Sequence, residues 1–430
     1  MCCHTNFIAL LGFISLLVIT PGLSDAEQNS KIPAITFGEK VRFDHQTKRI
    51  SGPAIQLSET GIFHLSWIEA NQKDLNTYYI QAPLQSETLP HPIRINPKAT
   101  LAASLHASPA MALGAQDEVY LTWTTPHPKA DGKLFTSLLL LSRSLDGGKS
   151  FLDPIQVNND DAVTGHSFDN LTVSPNGSIH MVWLDAREGK KDPSPYTSFS
   201  KDQGETLSAN LKIDDMACVC CRTHATVAQD ETVYLAWRKI YPGNIRETVV
   251  ARSIDGGQSY SSPVIVGHDR WAFEGCPHRP ATMGTDHQGR LYVTWYTEGP
   301  DDIPGVYFAY SDDQGKTFTP RSRLNLSKGT FPDHPQLAVD RKGRLLVIWE
   351  EQSPVRREIV MSYSLDRGAT FSPPIKLNKK KSKHPAVAVN SRGQALVAWQ
   401  EQITFPGWHT VIQEISWPKV IAQLPNSRRP

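Results

Sequence analysis

A short apolar phrase that ends in tryptophan recurs along the whole chain. The seven copies are separated by 50 to 60 residues and end at Trp67, Trp123, Trp183, Trp237, Trp295, Trp349 and Trp399. Each copy reads as a buried strand, because its residues alternate or run apolar and a polar turn usually precedes it. Repetition at this period is typical of propellers and solenoids, in which each repeat is one supersecondary unit.

Two further segments repeat in phase with the tryptophans. A short strand opened by proline starts 14 residues before four of them, at Pro53, Pro109, Pro335 and Pro385. A third strand follows the tryptophan, and in five units it leads into the motif Ser-x-Asp-x-Gly-x-Ser/Thr, whose aspartates are Asp146, Asp202, Asp255, Asp313 and Asp366. A carboxylate in such a turn accepts backbone N–H groups, and the glycine permits a left-handed backbone. The five aspartates are therefore expected to form turns rather than to catalyse.

The five motifs resemble the Asp box of the bacterial neuraminidase repeat, found in β-propellers of the sialidase superfamily. A fourth strand follows each box, whereas residues 35–43 look like such a strand without a preceding unit. We therefore predict an all-β fold, a single β-propeller of seven four-stranded blades closed by the N-terminal strand. The sialidases of this resemblance have six blades, which is the alternative count. The propeller is expected to span residues 31–418, followed by a loosely ordered tail at 419–430.

The start of the chain predicts export. An apolar run at 7–19 is too short to span a membrane, and the small residues Ser24 and Ala26 follow it, which is typical of a secretory signal peptide over residues 1–26. We expect an extracytoplasmic protein, periplasmic or secreted, without a membrane span. The net charge of +1 gives no reason to expect a nucleic acid partner. The expected partners are therefore a small molecule or glycan at the channel mouth, or another protein.

Aligning the units on their tryptophans places cysteine and histidine at one repeated position. The first strand of each propeller blade lines the axis, so the residues before it meet at one mouth of the channel. Those lying 17 or 15 residues before a tryptophan are His106, His166, Cys220, His278, His334 and His384. Close to them in sequence are Cys218, Cys221, His224 and Cys276. We therefore predict that these ten residues surround one mouth.

Thiolate and imidazole groups are ligands for zinc or copper, and copper is favoured at an accessible extracytoplasmic site. The first functional hypothesis is thus a metal-binding propeller that serves redox chemistry or metal handling. The compartment also permits disulfides, for example Cys221–Cys276 or a vicinal Cys220–Cys221 bridge, and free structural thiols are a further alternative.

The resemblance implies a second hypothesis, a sialidase-like exo-glycoside hydrolase or a sugar-binding protein. Sialidases hold the substrate carboxylate with three arginines, whose planar forks bind a carboxylate through two hydrogen bonds. Here the candidates are Arg49, Arg222 and Arg279, although the family's Arg-Ile-Pro motif is matched at Arg49 only with an insertion. The family's tyrosine nucleophile, its glutamate and its acid/base aspartate are not singled out by spacing; the candidates are Tyr241, Tyr296, Glu247, Glu274, Glu298 and Asp185. A non-catalytic interaction scaffold is the third hypothesis.

Overall fold

The computed structural model describes residues 32–45, 49–86, 88–106, 108–189, 191–326, 329–404 and 407–418. The expected signal peptide at 1–26 and the expected tail at 419–430 lie outside these residues. The described residues contain twenty-nine strands and one short 3₁₀ helix, Lys98–Thr100. None of their helices has the length and apolar character needed to cross a bilayer.

The strands form seven antiparallel sheets, and each sheet is one blade. Blade 1 contains β2 (Ala54–Leu57), β3 (Ile62–Asn71), β4 (Asp74–Pro83) and β5 (Ile93–Arg94). Blade 2 contains β6 (Ala110–Leu113), β7 (Val119–Pro126), β8 (Ser137–Ser144) and β9 (Ile155–Gln156). Blade 3 contains β10 (His166–Val173), β11 (Ile179–Asp185), β12 (Ser194–Ser200) and β13 (Leu211–Lys212). Blade 4 contains β14 (His224–Val227), β15 (Val233–Tyr241), β16 (Ile245–Ser253), β17 (Val264–Ile265) and the additional β18 (Trp271–Ala272).

The remaining three blades follow the same plan. Blade 5 contains β19 (Thr282–Thr285), β20 (Leu291–Thr297), β21 (Gly305–Ser311) and β22 (Ser322–Arg323). Blade 6 contains β23 (Phe331–Val339), β24 (Leu345–Gln352), β25 (Arg357–Ser364) and β26 (Ile375–Lys376). Blade 7 contains β27 (Ser382–Val389), β28 (Ala395–Gln402), β29 (Trp408–Ser416) and, from the other end of the chain, β1 (Thr36–Asp44).

The N-terminal strand closes the ring. β1 pairs antiparallel with β29, from Thr36 opposite Ser416 to Asp44 opposite His409, with one irregularity between Phe37 and Lys40. The predicted all-β propeller of seven blades with this closure is confirmed, and the alternative of six blades is wrong.

The hydrophobic core lies between the blades. Seven apolar clusters of the described residues each join two neighbouring blades. The seven repeated tryptophans are at most 1% exposed and sit in these clusters. A buried tryptophan removes roughly 150–250 Å² from water, so the repeated residue stabilises each junction between blades. This explains why tryptophan recurs in the second strand of every blade.

The repeated Ser-x-Asp motifs form tight turns, as expected. The Asp146 carboxylate accepts the backbone N–H groups of Lys149 and Ser150, both at 3.0 Å, and the Ser144 hydroxyl at 2.7 Å. Hydrogen bonds from Ser150 and Ser144 hold the pKa of Asp146 below its usual range. Gly148 has φ +81°, and a Cβ there would lie 2.2 Å from the Tyr79 hydroxyl. Equivalent bonds recur at Asp202, Asp255, Asp313 and Asp366.

Three inner strands contain a β-bulge at the end nearest the channel mouth. The register shifts between Ser167 and Asn170 in β10, and at the corresponding points of β23 and β27. One residue in each bulge has a left-handed backbone: Phe168 with φ 56°, His334 with φ 47° and His384 with φ 55°. Bulges re-aim side chains, and all three of these residues line the channel.

Candidate functional site

One end of the central channel is lined by histidine, cysteine and arginine side chains. The inner strands of all seven blades surround a cavity of about 800 Å³. Residues that precede or begin these strands meet at one mouth: Gly52, His106, Ser108, Phe168, Cys220, Arg222, His224, His278, His334 and His384. Blade 1 contributes a glycine because a Cβ on Gly52 would lie 3.0 Å from both the Cβ of His384 and the hydroxyl of Ser108. The structure thus brings six of the ten predicted cysteine and histidine residues to the cavity wall.

The cysteine-rich segment forms a tight turn against the end of β15. The Cys221 N–H donates to the Cys218 carbonyl at 3.3 Å, and the Cys218 N–H donates to the carbonyl of Arg238 at 2.8 Å. Val219 is 47% exposed, whereas the cysteines on either side of it are buried. The turn therefore gathers the three sulfurs of Cys218, Cys220 and Cys221 within 4.8 Å of one another.

The loop that carries the fourth cysteine is folded onto blade 4. Its β18 pairs with β16, and the ring of Trp271 stacks on that of Phe273 at 4.9 Å. Arg246 donates from Nε to the Phe273 carbonyl and from Nη2 to the Gly275 carbonyl, both at 3.0 Å. These contacts with blade 4 hold Cys276 near the cysteine-rich turn, although the sequence assigned this loop to the fifth blade.

Two thiols and one imidazole meet where these loops approach each other. Ligand atoms of Cys220, Cys276 and His278 all lie within 4.8 Å of one another. Cys220 is buried, whereas Cys276 and His278 are exposed. The group is thus open toward solvent on one side, and Cys220 belongs to both this group and the buried three-cysteine group.

The three clustered thiols differ in acidity because of their surroundings. Hydrogen bonding from Cys220 and Cys221, together with the cations Arg238 and Arg246, lowers the pKa of Cys218. Arg246 Nη1 donates to Cys218 Sγ at 3.0 Å. The pKa of Cys220 is raised, mainly by its hydrogen bond to Cys218, and burial raises the pKa of Cys221. The hydrogen bond from Arg246 thus favours the thiolate form of Cys218.

The described cysteines form no disulfide. Cys218, Cys220, Cys221 and Cys276 are all free. The Sγ atoms of Cys218 and Cys220 are 3.9 Å apart, whereas a disulfide requires about 2.0 Å. The alternatives Cys221–Cys276 and Cys220–Cys221 are therefore not formed in this structure.

The surroundings of two histidines at the mouth favour the neutral imidazole. Although the His278 side chain reaches solvent, partial desolvation lowers its pKa; Cys218 opposes this shift, and His106 and His334 add to it. Burial also lowers the pKa of His224 to about 4, and its Nδ1 has no hydrogen-bond partner among the described residues. Neutral imidazole is the form that binds metals.

His334 has the opposite character to its neighbour His384. Burial lowers the pKa of His334, but Asp333 and Glu350 outweigh this effect and raise it to about 9. Its Nδ1 lies 3.3 Å from a Glu350 oxygen and 3.4 Å from an Asp333 oxygen. Burial lowers the pKa of His384 to about 3, and the ring of His334, which lies 5.7 Å from that of His384, acts in the same direction. The mouth therefore contains one cationic imidazole beside a neutral one.

Arg279 is already engaged by carboxylates. Its Nε donates to Asp333 at 3.1 Å, its Nη1 lies 3.9 Å from Glu298, and its guanidinium stacks over the Tyr296 ring at 4.1 Å. Tyr296 is buried, and its hydroxyl donates to Glu298 at 2.6 Å. A tyrosine–glutamate pair thus lies beneath this arginine.

The other predicted catalytic residues have contacts that differ from those of Arg279. Arg222 crosses the mouth to donate to the Ser108 carbonyl, and burial lowers its pKa. Arg49 is exposed, does not line the cavity, and its carbonyl accepts the Ala70 N–H. Glu274 is exposed and accepts a hydrogen bond from Asn244. Of the three arginines, Arg222 lines the cavity, whereas Arg49 and Arg279 do not.

His166 differs from the prediction because it lies away from the cavity, fully buried between blades 2 and 3. Its Nδ1 lies 2.6 Å from the Ser137 carbonyl, and its Nε2 lies 3.0 Å from Asp160 and 3.6 Å from Asp185. Arg187 joins the same two carboxylates at 2.9 and 2.7 Å. The arginine supplies the cation between the carboxylates, so this group is an ion-pair network.

Sequence reasoning missed the buried arginines that support the thiols. Arg238 and Arg246 are 3% and 5% exposed. The sequence of 238–247 predicts a polar loop after a tryptophan strand. In the structure, β15 continues to Tyr241 and β16 begins at Ile245, so most of this stretch is a β-hairpin. The available signal was the pair of arginines beside a segment with three cysteines.

No protein-family model and no curated protein matches the chain. Among solved structures, a protein of unknown function from Dyadobacter fermentans DSM 18053 is 14% identical with a TM-score of 0.56, over 90% of this chain and 100% of that one. An ulvan lyase from a new family of polysaccharide lyases is 10% identical with a TM-score of 0.56, over 86% and 95%. A Hadza microbial sialidase is 15% identical with a TM-score of 0.47, over 80% and 73%. Since a shared fold does not establish activity, the first two likenesses show only that the chain shares the fold of these two proteins.

Proposed function

We propose that this protein is an extracytoplasmic propeller that binds copper at its channel mouth through Cys220, Cys276 and His278. The observation that supports this is the meeting of two sulfurs and an imidazole nitrogen from two separate loops within 4.8 Å. Soft thiolate ligands with imidazole select copper or zinc over magnesium and calcium. The expected export of the chain, from its residues 1–26, supports the extracytoplasmic part of the proposal.

The openness of the site favours metal handling over a permanent structural role. Structural zinc sites are closed by four protein ligands, whereas here Cys276 and His278 are exposed beside a cavity of about 800 Å³. His106 is close enough to act electrostatically on His278, so a further imidazole is near the open side. An ion held in this way can arrive from and leave to solvent. We therefore favour copper capture and release.

The test is metal binding by untagged protein. Reduced protein is titrated with Cu(I) against a chromophoric Cu(I) chelator, and bound metal is measured by elemental analysis. We expect tight stoichiometric binding that is weakened at least about tenfold in Cys276→Ala and in His278→Ala, because each substitution removes one ligand. His287→Ala is the matched control, since His287 also lines the cavity but belongs to the β19–β20 turn at its far end. Wild-type protein without bound copper, or equal affinity in all variants, would exclude this function.

A second candidate function, glycan hydrolysis, is favoured by one contact. The Tyr296 hydroxyl donates to Glu298 at 2.6 Å, directly beneath Arg279. This is the pairing that the sialidase resemblance implies for a nucleophile and its base. Substrate would have to displace Arg279 from the Tyr296 ring, which is buried.

A fluorogenic sialoside tests the second candidate. If Tyr296 is the nucleophile, wild-type protein releases the fluorophore and Tyr296→Phe loses nearly all of that release, because the phenol oxygen is absent. Tyr310→Phe is the matched control from the same blade. Metal-free wild-type protein that leaves the sialoside intact would eliminate sialidase activity.

A further inference from the structure

A second group of thiols lies behind the mouth group. Cys218, Cys220 and Cys221 are 1%, 4% and 1% exposed, and their sulfurs lie within 4.8 Å of one another. Three sulfurs around one metal at about 2.3 Å lie about 4 Å apart, and the Cys218–Cys220 distance is 3.9 Å. The spacing of the buried group therefore suits a trigonal metal site.

The surroundings of the buried group select a soft monovalent ion. The three cysteines pack against Ile240 and Phe168, so water is largely kept away. Within the described part of the chain, this group has three ligands and all are sulfur. Structural zinc takes four ligands, whereas thiolates in an apolar site select Cu(I).

Two buried arginines provide the matching positive charge. Arg246 Nη1 donates to Cys218 Sγ at 3.0 Å. Arg238 is 3% exposed, and its Nε and Nη1 have no hydrogen-bond partner among the described residues. It acts electrostatically on Cys218 and Cys221. An incompletely paired buried guanidinium is costly, and an anionic metal–thiolate group would offset that cost.

We propose that Cys218, Cys220 and Cys221 form a second Cu(I) position, which shares the Cys220 sulfur as a bridge with the mouth position. The inference rests on the proposed function, because the ion enters through the mouth. Each coordinating cysteine loses its S–H proton to solvent, and no electron is transferred. Two Cu(I) ions and four thiolates carry two net negative charges, which the guanidinium groups of Arg238 and Arg246 neutralise.

The experiment counts Cu(I) equivalents under anaerobic conditions, with bicinchoninate as the competing chelator. Wild-type protein is expected to bind about two equivalents. The double variant Cys218→Ala/Cys221→Ala should retain about one equivalent at the mouth. The double variant Cys276→Ala/His278→Ala should retain about one equivalent in the buried group. His287→Ala should match the wild type.

The outcomes separate the two proposals. A wild-type capacity of about one equivalent, or an unchanged capacity in Cys218→Ala/Cys221→Ala, overturns the second position. An unchanged capacity in Cys276→Ala/His278→Ala overturns the mouth site and hence the proposed function.

X-ray absorption of the fully loaded wild type is a measurement that does not depend on the folding of a variant. Copper ions bridged by Cys220 should show a short copper–copper scattering path within a sulfur-dominated shell. Absence of the copper–copper path overturns the shared ligand.

Discussion

At the scale of single residues, His334 should make the fold less stable at alkaline pH. Its pKa is raised from 6.5 to about 9 by Asp333 and Glu350, so the stabilisation is complete below pH 6.5 and is lost as pH rises through about 9. The side chain is 32% exposed, so solvent screening reduces the expected contribution to about 1–2 kcal/mol. Between pH 6 and pH 10, the free energy of unfolding in urea should fall more for the wild type than for His334→Gln.

The control for this prediction is His91→Gln, because His91 is exposed in the sequence-distant β4–β5 connection. That variant should retain the wild-type pH dependence. NMR titration of the His334 imidazole gives a direct measurement, and a pKa below 6.5 would contradict the raised value.

At the scale of elements, β-bulges decide which residues of an inner strand reach the channel. The tryptophan spacing predicted the blades because the second strand of each blade is buried and repeats the same apolar phrase. It also predicted the placement of His334 and His384, which occupy bulges 15 residues before their tryptophans. It failed for His166, because the bulge in β10 gives the channel position to Phe168, two residues later. A bulge depends on backbone pairing, which apolar spacing does not report.

The buried arginines illustrate a second limit of sequence reasoning. Arg238 and Arg246 follow the apolar phrase of blade 4, where polar residues are typical of a loop. The β15–β16 hairpin instead continues and is covered by the 271–277 segment through β18. Burial of these residues arises from a segment about 30 positions away, so local polarity could not predict it.

The turn motif should stabilise its blade through the aspartate. Asp366 accepts the Thr370 N–H at 2.9 Å, the Thr370 hydroxyl at 2.5 Å and the Ser364 hydroxyl at 2.8 Å. Asp366→Ala should lower the free energy of unfolding by about 1–3 kcal/mol, because the turn loses these bonds. Urea denaturation measures the change, with Asp153→Ala as the control at an exposed carboxylate. Equal destabilisation by the two substitutions would refute the role of the turn.

At the scale of the whole molecule, ring closure should make stability depend on β1. A chain that begins at His45 lacks the strand that pairs with β29 and also lacks Phe43, which is 8% exposed in the core between blades 7 and 1. We expect its melting temperature to fall by roughly 10 °C or more and its exposed β29 edge to promote association. Calorimetry and light scattering measure the two effects. A chain that begins at Ile32 is the control, and equal melting temperatures would show that closure contributes little.

The pairing of β1 with β29 also sets an order of events in time. During synthesis β1 is made first. Because Thr36 pairs with Ser416, β1 stays unpaired until β29 has been made. The hairpins of the intervening blades form from local contacts, whereas closure is a contact between opposite ends of the described chain and is therefore slow. Until that step the apolar residues of β1 and blade 7 stay accessible to other chains. The period before closure is thus when the nascent protein is most prone to misassembly and most in need of a chaperone.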